Sequence, residues 1–390
     1  MKILIVIPYF YPAWRFGGPV RVAYDVSRKL VERGHSVTVY TSDILDENTR
    51  VGAFYRNVEG VNVYYFRNLS LYVARRRMYV TPSLISAVKD SAKFFDVVHI
   101  HGNRTTQSPI LHYFLKKNSV PYVVQAHGGL PSMSGHRLKR LYDLFFGYPL
   151  LRDASKVIAL TRTEVQQFLS VGVPKSKIAV IPNGIDLTEY SDLPSKGSFK
   201  KKFGLDKNEK IVLYLGRIHE IKGIDILVRA FANILHKLGD VRLVIVGPDD
   251  GYLGEIEALT KALRIEGKVL VSGALYGVAK LEAYVDADVY VLPSRYETFP
   301  MTVLEAYACG KPVIASKVGE LTDLVADGQT GLLVDPGNTV QLAKNILYLL
   351  NDKGRAKEMG LRGKQFVKEN FTVEKAVDKL QYLYGAVALL

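Results

Sequence analysis

Glu297 and Glu305 bracket the stretch Ser294-Arg295-Tyr296-Glu297-Thr298-Phe299-Pro300-Met301-Thr302-Val303-Leu304-Glu305-Ala306, which reads as a strand end, a turn and a helix start. Pro300 has no amide hydrogen and a preset φ, which fits the first turn of a helix. That helix is expected to run through Ala306-Tyr307-Ala308 and to stop before Gly310-Lys311-Pro312. The first amides of a helix lack an intrahelical acceptor, so those of Met301 and Thr302 make an anion site. Glu297 precedes that site and Glu305 lies a turn or more inside the helix. A phosphate at the helix end would have a carboxylate on either side, each able to accept hydrogen bonds from sugar hydroxyls. The arrangement suits a nucleotide sugar. The alternative is an ordinary helix cap with two solvated acids.

The elements that must position these groups follow a repeated pattern. Lys2–Ile7 is a continuous apolar run, followed by a loop with Gly17-Gly18, a helix over Val20–Arg33 and a strand at Ser36–Thr41. The second half opens alike: a strand at Lys210–Leu215, the Gly216-Arg217 loop, a helix over about Gly223–Lys237 and a strand at Val241–Val246. Further strands are expected at Val61–Phe66, Val97–His101, Tyr122–Ala126 and Lys156–Leu160. In the second half they fall near Val269–Val271, Val289–Leu292, Val313–Ala315 and Gly331–Val334. Apolar runs alternating with helical patterns imply parallel sheets covered on both faces. The fold class is therefore α/β, two facing Rossmann-like, doubly wound domains with ligands in an interdomain cleft. The expected division is 1–185, 186–370 and a terminal helix at 371–390 packing back on the first domain. The break falls at Ile181-Pro182-Asn183-Gly184-Ile185-Asp186 and the polar stretch to Lys202.

Composition narrows the class. A chain of 390 residues is too long for one typical core. The single cysteine, Cys309, excludes an internal disulfide and a four-cysteine zinc site, and fits a reducing, cytoplasmic compartment. The opening run reads as a buried first strand and not as a signal peptide, and no apolar run is long enough to span a bilayer. The net charge is +14, of which residues 1–190 carry +12 and residues 191–390 only +2. A basic half beside a near-neutral one points to an anionic surface or substrate at the first domain. No nucleic-acid motif accompanies that charge, so nucleic acid is not an expected partner.

Short motifs follow one another in a recognisable order. They are Gly17-Gly18, Val98-His99-Ile100-His101-Gly102, His127-Gly128, Asn183-Gly184-Ile185-Asp186, and Gly216-Arg217 with Lys222-Gly223. Leu292-Pro293-Ser294, the two glutamates Glu297 and Glu305 with seven residues between them, and Ala308-Cys309-Gly310-Lys311-Pro312 complete the series. In this order and at these spacings the chain resembles the family 4 glycosyltransferases of the GT-B fold, over nearly its whole length. The resemblance implies a retaining transferase that moves a hexose from a nucleotide diphosphate sugar to an acceptor hydroxyl. It implies no metal and no cofactor beyond the donor itself.

Arg217 and Lys222 follow a strand end across a glycine turn, where a ligand-facing position is expected. Departure of a nucleotide diphosphate from an anomeric carbon accumulates charge on the phosphates, which fixed cations stabilise. The Arg fork takes two oxygens and the Lys supplies a point charge. The alternative, two solvated cations near a helix start, is disfavoured by the helix dipole. By resemblance, Glu297 meets hydroxyls of the donor sugar, Glu305 the ribose, and Arg217, Lys222, Glu297 and His127 form the catalytic set. Gly18, Phe299 and Met301 join them in donor binding. The two acids are not a glycosidase pair. Pro300 departs from the family, where Gly is common, and removes one amide donor.

His127 ends a strand before Gly128-Gly129; the resemblance implies that it orients the transferred sugar, and the alternative is a hydrogen-bonded structural histidine. His99 and His101 are taken to point to opposite faces of their strand, His99 into the core and His101, with His127, toward the acceptor side. His35 is read as structural. Asp286-Ala287-Asp288 leads into a buried strand and is read as a structural acid pair, not a metal site. No Gly-x-Gly-x-x-Gly follows the first strand, which argues against a dinucleotide oxidoreductase. Basic residues interleaved with aromatics occur at Tyr72, Arg75-Arg76-Arg77 and Tyr79, and at Arg137-Leu138-Lys139-Arg140-Leu141-Tyr142 before Phe145-Phe146. They suit a peripheral contact with anionic lipid, and a sugar, lipid-linked or anionic acceptor; the alternative is a solvated face over core aromatics. An epimerase on the same fold, or a nucleotide-sugar-binding protein without catalysis, are the competing functions.

Overall fold

The computed structural model describes residues 1–46, 48–75, 79–130 and 137–389. Two compact units divide the chain. One comprises Met1–Gly184 with the chain from Val373 onward, the other Ile185–Thr372.

In the first unit the strands are β1 (Lys2–Val6), β2 (Ser36–Ser42), β3 (Tyr55–Val58), β4 (Val61–Phe66), β5 (Val97–His101), β6 (Tyr122–Gln125), β7 (Lys156–Ala159) and β8 (Ile178–Val180). They pair in the order β3-β4-β2-β1-β5-β6-β7-β8, and every pairing except β3 with β4 is parallel. β1 is apolar after its exposed Lys2, and β5 is buried throughout although it carries His99 and His101, because helices cover both faces of the sheet. The order reverses between β1 and β5, so the loops after these strands open at the same edge. The edge strands β3 and β8 were not expected from the sequence. β3 is mostly exposed and β8 has three residues, so neither carries the apolar run that marks a buried strand.

Helix Gly18–Glu32 follows the loop after β1. Its cap is Gly17, with φ 85° and ψ −147°, a conformation open to glycine and strained for other residues. The glycine that the turn requires is therefore Gly17, while Gly18 is the first helical residue. The terminal helix Val373–Ala388 packs on this first helix through Lys29–Glu374 (3.4 Å) and Arg33–Asp378 (2.7 Å).

In the second unit β9 (Lys210–Leu215), β10 (Val241–Val246), β11 (Val269–Gly273), β12 (Val289–Leu292), β13 (Val313–Ser316) and β14 (Gly331–Val334) form a parallel sheet in the order β11-β10-β9-β12-β13-β14. Its reversal lies between β9 and β12, the edge where a doubly wound sheet receives ligands. The polar stretch read as part of the break is ordered within this unit. Ser198–Lys202 is a helix, and Asp286 accepts the amides of Gly197 and, at 2.9 Å, Lys200. Asp288 accepts the Ile211 amide at 2.8 Å. Both acids thus hold backbone at the sheet's entrance.

Candidate functional site

The loops after β9 and β12 carry Arg217, Lys222 and Glu297. After β9 the chain passes Arg217, forms a short turn over Glu220–Lys222 and enters helix Ile224–Leu235. Gly223 turns it with φ 65°, and a Cβ there would sit 2.1 Å from the Pro293 carbonyl oxygen. This close approach draws Lys222 against the end of β12. Arg295 fastens the same contact, donating to Glu220 O (2.6 Å) and to both oxygens of Asp225 (2.9 and 2.7 Å).

Lys222 Nζ donates to Glu297 Oε1 at 2.6 Å, and Ser294 Oγ donates to the same oxygen at 2.6 Å. Glu297 is 6% exposed, so the cation offsets the cost of burying its charge. Glu305, 8% exposed, receives Lys280 Nζ at 2.7 Å and Tyr284 Oη at 3.0 Å. The alternative of two solvated acids does not hold: packing buries both, and each has a lysine. The helix that carries Glu305 is Met301–Ala308, with Pro300 at its cap in extended geometry (ψ 102°) and not inside its first turn. Tyr290 Oη donates to Thr302 Oγ1 (2.7 Å) and Tyr284 Oη to Thr302 O (3.1 Å), which anchors the helix start to β12 and the preceding helix. Met301 is buried, and Phe299 packs against Phe371 with ring centroids 5.9 Å apart.

Arg217 pairs with Asp250. The loops after β9 and β10 are zipped by Ile218 N to Pro248 O (2.9 Å) and Asp250 N to Ile218 O (3.0 Å), which sets the two side chains together. Burial pushes the Cys309 thiol up to about 12, so it remains protonated and unreactive.

In the first unit, His99, His101 and His127 form a row. His99 and His101 lie on one face, their rings 4.1 Å apart, contrary to the expectation of opposite faces. Side chains alternate along a strand, so residues two apart share a side. His101 is 2% exposed, and its Nδ1 lies 2.8 Å from Nε2 of His127. His99 Nδ1 contacts Tyr384 Oη at 2.6 Å. Loss of solvent pushes His99 down to about 3 and His127 to about 4, and holds His101 well below the ordinary range. All three are neutral at pH 7. His35 contacts the N-terminal ammonium at 3.2 Å.

The turn after β6 is tied down by residues that the sequence did not single out. Buried Glu164 accepts Gly128 N (2.6 Å) and Leu160 N (2.7 Å). Arg104 binds both oxygens of Asp143 at 2.7 Å and donates to Gly129 O and Leu130 O.

Two family models match successive parts of the chain: Glycosyltransferase Family 4 over residues 16–189 and Glycosyl transferases group 1 over residues 195–366. The chain belongs to the family 4 glycosyltransferases. This glycosyltransferase is 28% identical to N-acetyl-alpha-D-glucosaminyl L-malate synthase of Bacillus anthracis over 98% of its own length and 97% of that protein's. It is 29% identical to D-inositol 3-phosphate glycosyltransferase of Xylanimonas cellulosilytica, over 68% of this chain and 66% of that one. The crystal structure of Anabaena HepE in complex with UDP-glucose matches with TM-score 0.81 at 23% identity, covering 99% of this chain and 100% of that chain. The likeness shows the GT-B fold.

The glycosyltransferase's described residues include no helix long and apolar enough to cross a membrane. They contain no cluster of three or more His, Cys, Asp or Glu side chains able to hold a metal ion. Of the two basic-aromatic segments, residues 76–78 lie outside the described residues. Tyr72 is exposed and Tyr79 buried. In the second segment, Arg137–Tyr142 is helical and Asp143–Gly147 makes a π turn, exposing Leu141, Leu144, Phe145 and Phe146. Asp250 and Lys280 are the site residues that the sequence missed. Asp250 follows β10 as Arg217 follows β9, a signal that could have found it; nothing in the helix Gly277–Asp286 marks Lys280.

Proposed function

We propose that the protein is a retaining hexosyltransferase using a nucleoside diphosphate sugar. The observation that carries this reading is the Lys222–Glu297 pair, 2.6 Å apart at the reversal of the second sheet, beside a helix start with Glu305 in its second turn. A diphosphate fits the amides of Phe299, Met301 and Thr302 and the cations Arg217 and Lys222, with Arg217 exchanging Asp250 for phosphate. Glu305 receives the ribose hydroxyls and Glu297 those of the sugar. The bond from the anomeric carbon to the diphosphate breaks, and the acceptor oxygen bonds to that carbon from the same face. The acceptor proton passes to an oxygen of the departing diphosphate. Arg217 and Lys222 stabilise the charge that develops there, and no metal is required. His127 orients the sugar, and the backbone at Gly18 approaches the donor closely. Anabaena HepE, solved with UDP-glucose, supports a nucleotide-sugar donor on this fold.

The acceptor belongs to the basic first unit. The names of the Bacillus anthracis and Xylanimonas cellulosilytica relatives contain malate and inositol phosphate, both anions, which supports an anionic acceptor. Exposed Phe145 and Phe146 beside Arg137, Lys139 and Arg140 support a lipid-linked one, met at the cytoplasmic face of a membrane.

Thermal shift with UDP-, GDP- and ADP-glucose tests the donor site, because a ligand raises Tm by mass action. One nucleotide series is expected to stabilise the wild type and to lose that effect in Glu305→Ala. No shift with any of them removes the reading. Isomerised nucleotide sugar formed without acceptor would make the protein an epimerase.

A further inference from the structure

The row of histidines has a polarity. His101 is neutral, so one of its ring nitrogens carries the hydrogen. Its Nε2 is buried and meets no partner among the described residues, while its Nδ1 lies 2.8 Å from His127 Nε2. A hydrogen on Nε2 would bury an orphan N–H donor; a hydrogen on Nδ1 leaves only a bare lone pair there. Orphaned buried donors are the rarer defect. His101 Nδ1–H therefore donates, and His127 Nε2 accepts.

The neighbours hold both rings in this arrangement. His99 lies against His101 with ring centroids 4.1 Å apart and planes tilted by 33°, and is itself fixed by Tyr384 Oη at 2.6 Å. His127 sits in a left-handed conformation, φ 51°, and Glu164 pins the following amide of Gly128 at 2.6 Å. With Nε2 engaged by His101, the atom of His127 that a ligand meets is Nδ1.

We infer that His101 is a positioning residue that holds His127 in the Nδ1–H tautomer, so that His127 meets the transferred sugar as a hydrogen-bond donor and not as a base. The tautomer is a property of the free protein; its use rests on the reading of His127 as facing the donor sugar. As a donor, Nδ1–H steadies a sugar hydroxyl and leaves the acceptor's proton to the diphosphate.

Long-range 1H–15N correlation on the full-length protein, labelled with 15N-histidine at pH 7.5, reads the tautomer directly; His127→Gln assigns the signal. The wild type is expected to show His127 protonated on Nδ1. His101→Asn, whose amide places a donor where Nδ1 stood, should retain that state, and His101→Leu should release His127 toward the Nε2–H form. Turnover of UDP-glucose should fall roughly tenfold in kcat in His101→Leu with KM within about twofold, and recover in His101→Asn. His127 on Nε2 in the wild type, or a tautomer and kcat unchanged in His101→Leu, overturns the proposal. A wild type inert toward UDP-, GDP- and ADP-glucose would sink the function instead, and the tautomer would then decide the proposal alone. The wild-type tautomer is read without either His101 variant; only its assignment uses His127→Gln.

Discussion

Removing the Lys222 ammonium leaves the Glu297 carboxylate buried with Ser294 as a remaining donor, and under the proposed function it also removes a charge aimed at the leaving diphosphate. Because that charge develops as the donor bond breaks, the loss belongs to turnover more than to binding. Lys222→Met is expected to lower kcat about 100-fold or more with donor KM changed only a few-fold. Initial-rate kinetics check this, and an unchanged kcat would remove the assigned role. His127 yields a second prediction at this scale. Its folded-state value, about 4, lies below the ordinary 6.5. The stability linked to its neutral form is complete above about pH 6.5 and is lost as pH falls toward 4, where the unfolded chain binds a proton that the folded chain refuses. His127→Gln should abolish that component. The wild type's stability relative to this variant should drop on the order of 2 kcal/mol between pH 7 and pH 4.5, read from urea curves. A pH-independent difference would contradict a depressed His127.

The elements that carry these groups depend on a few buried polar anchors. Glu164 accepts two backbone amides, one in the turn after β6 and one at the end of β7. An amide side chain can accept with one oxygen only, so Glu164→Gln leaves a buried N–H unpaired. A loss of about 1–3 kcal/mol is expected, seen as a lower urea midpoint at constant m. A midpoint equal to the wild type's would show that the turn holds without this contact. At this scale β1, β2, β4–β7 and β9–β14 were legible in the sequence from runs rich in apolar, β-forming residues. The helix after β12 was legible from its proline and glycine. β3 and β8 were hidden by their exposure, and His99 and His101 share a face because side chains two apart on a strand point the same way.

For the molecule as a whole, the charge asymmetry has a direct consequence. Residues 1–190 carry +12 and the remainder +2, and the exposed Leu144, Phe145 and Phe146 lie beside basic residues of the first unit. Co-sedimentation with vesicles containing anionic lipid should exceed that with neutral vesicles at low salt and should fall as salt screens the attraction. Equal partition between the two vesicle types would remove the membrane contact and leave a small anionic acceptor. Tyr79 shows why composition alone could not separate these surfaces: it stands in the same basic-aromatic run as Tyr72, yet one ring is buried and the other exposed.

The sequence by itself determined the doubly wound architecture, the family and the positions of the acids and cations, because periodicity and motif spacing are local properties of the chain. It placed Glu297 beside a helix start and Lys222 after a strand. Only the tertiary structure decided that these two meet at 2.6 Å, that Arg217 pairs with Asp250, and that Glu305 shares its carboxylate with Lys280 and Tyr284. Those partners lie 75, 33, 25 and 21 residues apart. Pairing over such separations is set by the order of strands in the sheet and by the burial that forces each charge to find a counterpart, neither of which a local pattern encodes.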